Sequence, residues 1–185
     1  MPSKVIFVGG GARSGKSRFA LEYARKLGRR RLFVATADAF DAEMAERILR
    51  HQNERGADFA TVEEPLHVAR LLGQVRDVDV VVVDCLTLWL SNLLMRGTSV
   101  EDIDDQVAKV VTVLKARLRS VVLVSNEVGF GIVPESALGR TFRDVAGRAH
   151  QRLAAEADEV YLAAVGVVLR LLPEPVKTLR PGECP

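Results

Sequence analysis

Short, almost purely apolar runs recur along the chain, separated by longer stretches in which apolar residues recur every three or four positions. The runs predict strands at Val5–Val8, Leu32–Ala35, Val80–Val83, Val121–Val124 and Val160–Ala163. Because they lack polar alternation, both faces of each strand should be covered, as in a parallel sheet. A further run, Val167–Leu171, follows Gly166 so closely that only a hairpin fits, which predicts an antiparallel C-terminal edge strand. The pattern therefore predicts an α/β fold, a mostly parallel sheet with helices on both faces.

The stretches with helical period carry start and stop signals of their own. They predict a first helix from Gly15 to Gly28 and a second over about 41–55 that ends at Gly56. A third has Pro65 in its first turn, and its apolar face consists of Val68, Leu71, Leu72 and Val75. A fourth is capped by Ser99 and Asp102, and a long fifth helix carries Phe142, Val145, Ala149 and Leu153. After Leu172, four prolines in thirteen residues predict a tail without regular structure. We expect a single catalytic domain over residues 1–172 and a proline-rich tail over 173–185.

Composition narrows the class of protein. An apolar content of 48% and a charged content of 27% are typical of a soluble globular protein and exclude a disordered or fibrous chain. A net charge of +2 argues against a protein that binds nucleic acid through phosphate contacts. The arginines at 29–31 follow a predicted helix end, where a solvated turn favourable to the helix dipole is expected.

Localisation follows from the same reasoning. The longest apolar region, 78–95, is interrupted by Asp79, Asp84, Ser91 and Asn92, so no membrane insertion is expected. The two cysteines, Cys85 and Cys184, lack the spacing of a metal or redox pair. They are interpreted as a buried thiol and a tail thiol, and we expect a cytoplasmic protein.

The segment Gly10–Ser17, GGARSGKS, matches the phosphate-binding pattern G-x-x-x-x-G-K-[ST] between a predicted strand and a predicted helix. Glycines let backbone N–H groups turn toward phosphate oxygens, and the helix N-terminus adds partial positive charge. Lys16 is expected to reach the β- and γ-phosphates, and the Ser17 hydroxyl to bind Mg²⁺. A merely flexible glycine loop would need neither Lys16 nor Ser17 in this register.

Asp84 closes an apolar strand, at the position of a metal-binding Walker B aspartate. The alternative is an N-cap for the helix that follows. With the phosphate loop, Asp84 predicts a RecA-like P-loop NTPase fold that binds a nucleoside triphosphate with Mg²⁺.

His51 is the candidate nucleophile. It follows Met44 and Ile48 at helical spacing, and from geometry alone a half-buried histidine at a helix edge is the simpler interpretation. Its helix, however, follows the second predicted strand, whose carboxyl end faces the same crevice as the phosphate loop. A neutral imidazole there is a competent nucleophile. His67 and His150 lack such placement and are interpreted as structural.

Several blocks in order along the chain extend these motifs. They are Gly10–Ser17, Arg47-Ile48 with His51 and Arg55, Thr61 with Glu63, Asn126-Glu127-Val128-Gly129, Gly131-Ile132-Val133-Pro134-Glu135, Phe142-Arg143-Asp144 with Gly147, and Gln151-Arg152-Leu153. From about residue 5 to residue 165, the sequence resembles the bifunctional adenosylcobinamide kinase/adenosylcobinamide-phosphate guanylyltransferase family of cobalamin biosynthesis.

The resemblance implies a reaction and a set of site residues. The family phosphorylates adenosylcobinamide with ATP or GTP, takes GMP from GTP onto a histidine, and passes it to adenosylcobinamide phosphate to give adenosylcobinamide-GDP. That histidine falls on His51, with Lys16 as the second catalytic residue and Ser17 and Asp84 as Mg²⁺ ligands. Nucleotide contacts fall on Gly10, Gly11, Ala12, Arg13, Ser14, Gly15, Lys16, Ser17, Ala35, Thr36, Ala37, Gln52, Asn53, Glu54, Arg55, Glu63 and Asp84. The partner is a corrinoid, nucleic acid is not expected, and homotrimers are usual.

Two other functions remain open from the residues alone. A P-loop kinase for a small molecule, without guanylyl transfer, would share every feature except the role of His51. A nucleotide-dependent switch would use the loop only to sense its ligand.

Overall fold

The computed structural model describes residues 2–38 and 58–179, and within these ranges the chain forms one eight-stranded sheet. The strands are β1 Val5–Gly10, β2 Arg31–Ala35, β3 Ala60–Glu63, β4 Val80–Asp84, β5 Ser120–Asn126, β6 Glu159–Ala164, β7 Val167–Leu172 and β8 Lys177–Leu179. Their order is β3-β2-β4-β5-β1-β6-β7-β8. Pairing is parallel from β3 to β6, and β7 is antiparallel to both β6 and β8. The predicted parallel sheet with an antiparallel C-terminal strand is confirmed, but β8 pairs with the far side of β7, so β7 is not the edge strand that the sequence predicted.

Helices cover both faces of this sheet, as predicted. They are α1 Lys16–Leu27, α2 Val68–Gln74, α3 Leu86–Met95, α4 Val100–Lys115 and α5 Ala137–Ala154. Helix α1 packs on the side chains of one face, and α2 to α5 pack on the other. In β4, Val80 and Val82 face α1 while Val81 and Val83 face the other helices, and all four are fully buried. This two-sided burial explains why the strands are apolar at every position. No described helix has the length and apolarity that a membrane crossing requires.

Two strands were not predicted. Strand β3 has the sequence Ala-Thr-Val-Glu and lies at the edge of the sheet, so it lacks an apolar run. Strand β8 lies within the segment expected to be irregular, and that expectation is wrong for Lys177–Leu179. These residues pair with Val168–Arg170 of β7, and Pro173 and Pro175 precede the pairing, so their missing N–H groups cost no hydrogen bond there.

Helix α2 begins later than predicted. Pro65 lies in a bend three residues before the helix rather than in its first turn. The Glu64 carboxylate accepts hydrogen bonds from the backbone N–H groups of Leu66 (3.0 Å) and His67 (2.7 Å), which holds the bend. Helical backbone therefore starts only at Val68.

The predicted ends of two other helices are confirmed. Gly28 follows α1, and a Cβ there would lie 2.2 Å from the Cβ of Asp79, so only glycine fits. The Arg31 guanidinium donates to the Gly28 carbonyl (2.7 Å), as expected for a basic side chain at a helix C-terminus. At the start of α4 the Ser99 hydroxyl accepts the Asp102 N–H at 3.1 Å.

A buried carboxylate ties β6 to α1 at the amino end of β6. Glu159 accepts hydrogen bonds from the Tyr23 hydroxyl (2.7 Å), the Tyr161 hydroxyl and the Lys4 ammonium (2.7 Å). Burial by itself raises the pKa of Glu159, but these three donors outweigh it and the net pKa is lowered. The ionised carboxylate therefore stabilises the folded state.

We expect Glu159→Gln to lower the free energy of unfolding at pH 7 by about 1–3 kcal/mol, because charged hydrogen bonds are lost in a buried site. A lowered pKa gives stability that is present above the unfolded pKa of Glu and is lost as the pH falls through the folded pKa. The difference between the two proteins in urea unfolding should therefore shrink below about pH 4. Glu22→Gln, which breaks the partly exposed Arg18–Glu22 pair, is the control and should change stability by less than about 0.5 kcal/mol. A difference for Glu159→Gln that is independent of pH would contradict this account.

Candidate nucleotide-binding site

The phosphate loop connects β1 to α1 at the carboxyl edge of the sheet. Its first glycine, Gly10, runs so close to β6 that a Cβ would lie 2.4 Å from the Ala163 carbonyl oxygen. Its last glycine, Gly15, is the N-cap of α1 with φ 94°, a left-handed conformation that favours glycine. These two positions explain why the loop needs glycine at both ends.

Two polar side chains of the loop are turned inward. Lys16 is only 8% exposed, and its ammonium donates to the carbonyl of Gly11 at 3.1 Å, folding back over its own loop. The Ser14 hydroxyl is buried and has no hydrogen-bond partner among the described residues. Because buried polar groups are normally paired, these groups fit an anionic ligand in the loop.

Asp84 and two other predicted contacts lie on one rung of the sheet. Ala35 of β2 pairs with Asp84 of β4 on one side and with Glu63 of β3 on the other. Helix α3 has Cys85 as its N-cap, so the structure does not support the alternative role of Asp84 as a cap. The parallel register therefore brings Ala35, Glu63 and Asp84 together at the carboxyl edge.

Thr36 braces this edge from within the protein. It is fully buried, its hydroxyl donates to the Cys85 carbonyl (2.7 Å), and the same hydroxyl accepts the Cys85 N–H (2.8 Å). Its N–H donates to the Asp84 carbonyl (3.2 Å), and its carbonyl accepts the amide of Asn92 (2.8 Å). These contacts show that Thr36 fixes the end of β4, and its predicted contact with the nucleotide stays a prediction.

The Cys85 thiol reports on the charges around it. It is a buried free thiol, as predicted, whereas Cys184 lies outside the described residues. Burial raises the pKa of Cys85 to about 11, with a further contribution from Asp84 and an opposing one from Lys16. The neutral thiol is therefore not a nucleophile at pH 7.

The residues present fit a magnesium ion bound together with a nucleotide. Ser17 and Asp84 are both half-buried, on the loop and at the end of β4. Across 2–38 and 58–179, no group of three or more His, Cys, Asp or Glu side chains could hold a metal by itself. Mg²⁺ typically takes one or two protein oxygens and completes its shell with phosphate and water, which matches this sparse donor set.

The end of β5 also lies against the phosphate loop, although the sequence analysis gave these residues no role. Asn126 pairs with Gly10 of β1, and its amide donates to the Thr87 hydroxyl (3.1 Å). The Glu127 N–H donates to the Gly10 carbonyl (2.9 Å). The available signal was two polar residues just after a buried strand, but its meaning depends on β5 lying between β1 and β4, which the sequence does not reveal.

Several predicted features lie outside the described residues. They are the helix over about 41–55, the nucleophile His51, and the contacts Gln52, Asn53, Glu54 and Arg55. These assignments stay predictions. A groove of about 490 Å³ lined by His67, Arg70 and Lys109 among others contains none of the predicted site residues.

Comparisons with known proteins identify similar sequences. The family model described as cobinamide kinase / cobinamide phosphate guanyltransferase matches residues 6–171. A bifunctional adenosylcobalamin biosynthesis protein CobU of Salmonella typhimurium is 39% identical over 180 residues, covering 90% of this chain and 99% of the relative. The CobP protein of Pseudomonas aeruginosa, with the same description, is 39% identical over 168 residues, covering 90% and 96%.

A solved structure shows the fold alone. The crystal structure of the RadB recombinase superposes with a TM-score of 0.54 at 16% identity, covering 97% of this chain and 87% of that chain. This likeness confirms the predicted RecA-like P-loop fold.

The contacts of the two glycines predict different tolerances to alanine. Gly10→Ala should lower stability by about 1–3 kcal/mol, because the new methyl group meets a backbone carbonyl that cannot move aside. Gly11→Ala should be close to neutral, since a Cβ at Gly11 meets nothing within 4 Å. Thermal unfolding without nucleotide measures both variants. Equal melting temperatures would contradict the close approach of β1 to β6.

Proposed function

The chain belongs to the cobinamide kinase / cobinamide phosphate guanyltransferase family, and from this premise we propose how its residues divide the two reactions. The kinase phosphorylates adenosylcobinamide with ATP or GTP. The guanylyltransferase moves GMP from GTP to adenosylcobinamide phosphate by way of guanylylated His51. The observation that carries the proposal is the phosphate cradle with its buried Lys16 ammonium and unpaired Ser14 hydroxyl.

In the kinase reaction the loop holds the triphosphate and Lys16 faces its β- and γ-phosphates. Phosphoryl transfer needs mainly positioning and neutralisation of charge, which a buried cation and backbone N–H groups provide. Ser17 and Asp84 would hold Mg²⁺, which neutralises phosphate oxygens when bound. The nucleotide contacts at Gly10–Ser17, Ala35, Ala37, Glu63 and Asp84 belong to the same proposal, and Thr36 contributes by bracing the strand end.

In the guanylyl reaction the imidazole of His51 attacks the α-phosphorus of GTP, and pyrophosphate leaves with the electron pair of the broken bond. The phosphate group of the corrinoid then attacks the same phosphorus and releases the imidazole. A covalent intermediate divides one difficult substitution into two easier ones. Gln52, Asn53, Glu54 and Arg55 would contact the nucleotide beside His51.

The proposal extends to assembly and location. We propose a cytoplasmic homotrimer with a corrinoid substrate and no nucleic-acid partner. The segment after β5 exposes apolar side chains, among them Phe130 at 82% and Ile132 at 93%, which supports an assembly that covers this segment. The net charge of +2 supports the absence of a nucleic-acid partner.

Incubation with α-labelled GTP alone tests the guanylyl step. We expect an acid-labile, alkali-stable label on the protein, with release of pyrophosphate, because a phosphorus–nitrogen bond forms before the corrinoid is present. His51→Ala should abolish the label, and His67→Ala, at an exposed helix end, should retain it. An unlabelled protein that still phosphorylates cobinamide from γ-labelled ATP would indicate a kinase without guanylyl transfer. An unlabelled protein without kinase activity would indicate a nucleotide switch.

Lys16→Ala tests the cradle. Removing the buried ammonium should lower the kinase kcat/KM by at least about 100-fold, because the developing charge on the transferred phosphate loses its cation. Arg18→Ala removes a positive charge two residues away on the exposed side of α1 and is the matched control, expected within about threefold of the parent. Steady-state rates with γ-labelled ATP measure both. Kinase rates unchanged by Lys16→Ala would refute the phosphate-loop assignment.

A further inference from the structure

Three polar side chains, Ser125, His150 and Glu127, lie in a row at the end of β5, and the first two are hydrogen-bonded. The Ser125 hydroxyl lies 2.6 Å from Nε2 of His150, and Nδ1 of His150 lies 4.0 Å from Oε2 of Glu127. The His150 ring also packs edge-on against Phe7 at 5.5 Å between centroids. The sequence analysis interpreted His150 as structural, but this row joins it to a carboxylate at the site.

The row contains the residue types of a Ser-His-acid hydrolytic triad, but its serine is not exposed to substrate as a nucleophile must be. Ser125 is fully buried, so its hydroxyl cannot reach a substrate as a nucleophile. His150 is 13% exposed in its side chain, and Glu127 is 25% exposed. The exposed end of the row is therefore the carboxylate, and the buried end is the hydroxyl.

The position of Glu127 relative to the phosphate loop is fixed by backbone contacts. Its N–H donates to the Gly10 carbonyl at 2.9 Å, directly beside the first glycine of the cradle. Its Oε1 accepts the N–H of Gly129 at 2.5 Å, which holds the side chain in place. Strand β5 lies between β1 and β4, so Glu127 follows the strand that separates the cradle from Asp84.

Burial sets the protonation state of the row. It lowers the pKa of His150, and the carboxylate of Glu127 opposes this only in part, so the imidazole is neutral at pH 7. If Nε2–H donates to Ser125, the lone pair of Nδ1 faces Glu127. A neutral carboxyl group can donate to that lone pair, whereas a carboxylate cannot. In that tautomer Nδ1, which lies 4.0 Å from Oε2, is the nearby acceptor for a protonated Glu127 carboxyl group.

We propose that Glu127 is the general base of the kinase reaction and that His150 is its positioning residue, an inference that rests on the proposed function. The hydroxyl oxygen of the corrinoid side chain bonds to the γ-phosphorus while its proton passes to Glu127 Oε2. The bond between the γ-phosphorus and the β,γ-bridging oxygen breaks, and the nucleoside diphosphate leaves with that electron pair. The protonated carboxyl group can then donate to Nδ1 of His150 once the side chains close the 4.0 Å between the two atoms.

This role is specific to one of the two reactions. The acceptor of the kinase is an alcohol, which must lose a proton as its oxygen bonds to phosphorus. The nucleophiles of the guanylyl reaction are a neutral imidazole and a phosphate anion, and neither needs a base. Loss of a base should therefore slow only the kinase reaction, whereas loss of a residue that merely builds the phosphate loop should slow both reactions.

Glu127→Gln tests the proposal on the full chain. We expect the kinase kcat, measured with γ-labelled ATP and saturating adenosylcobinamide, to fall between about 100- and 10,000-fold with KM values within about threefold. Adduct formation from α-labelled GTP should stay within about threefold of the parent, which also shows that the variant is folded. Glu135→Gln removes an exposed carboxylate from the same connecting segment and should leave both reactions unchanged.

Two further variants keep the test decisive. Glu127→Asp retains a carboxylate one methylene shorter and should be faster in the kinase reaction than Glu127→Gln. His150→Gln should lower the kinase kcat by about tenfold or more without affecting adduct formation.

Contrary outcomes are distinct. A kinase kcat for Glu127→Gln near that of the parent, equal rates for the Asp and Gln variants, or an equal loss of both reactions would overturn the role of Glu127 as base. An equal loss of both reactions in His150→Gln would overturn its positioning role. A parent protein that neither phosphorylates cobinamide nor forms the adduct would overturn the proposed function itself, and this inference with it.

Discussion

The site depends on the parallel pairing of β1 with β5 on one side and β6 on the other. Gly10 pairs with Asn126 and with Ala163, and the Ala163 backbone lies so close that no side chain fits at Gly10. Because parallel strands end at the same edge, this pairing also places Asp84 and Glu127 around the loop. A local sequence motif thus becomes a site only through contacts between residues more than a hundred positions apart.

Sharing one cradle constrains how two reactions can differ. Under the proposed function both reactions begin with a nucleoside triphosphate held by the same glycines and by Lys16, and such a cradle would not by itself distinguish attack at the γ-phosphorus from attack at the α-phosphorus. The distinction must come from the nucleophile and from whether it carries a proton that has to be removed. An alcohol brings a proton that must be removed, whereas an imidazole does not. The base proposed beside the cradle would therefore act on one reaction and not on the other.

Features encoded within a few residues could be predicted from the sequence. The valine strands, the phosphate loop, Asp84 and the caps at Gly28 and Ser99 each carry their own local signal, and all lie where predicted. The edge strands β3 and β8 have no apolar run, and the residues of β3 are exposed or half-buried rather than buried on both faces. The row from Ser125 to Glu127 could not be predicted, since it exists only where α5 crosses the end of β5.

Most polar groups at the carboxyl edge are hydrogen-bonded to other protein groups, and the group without such a partner indicates where a ligand binds. Thr36 is bonded to Cys85, Asn126 to Thr87, and Glu127 to Gly10, so each strand end is tied to its neighbour. Within the described residues two buried side-chain atoms lack a partner, and one of them is the Ser14 hydroxyl inside the phosphate loop. The other, on Arg170, lies two strands away on β7. Because an unpaired buried hydroxyl costs free energy, an anion that accepts its hydrogen bond in the loop of Lys16 would stabilise the protein.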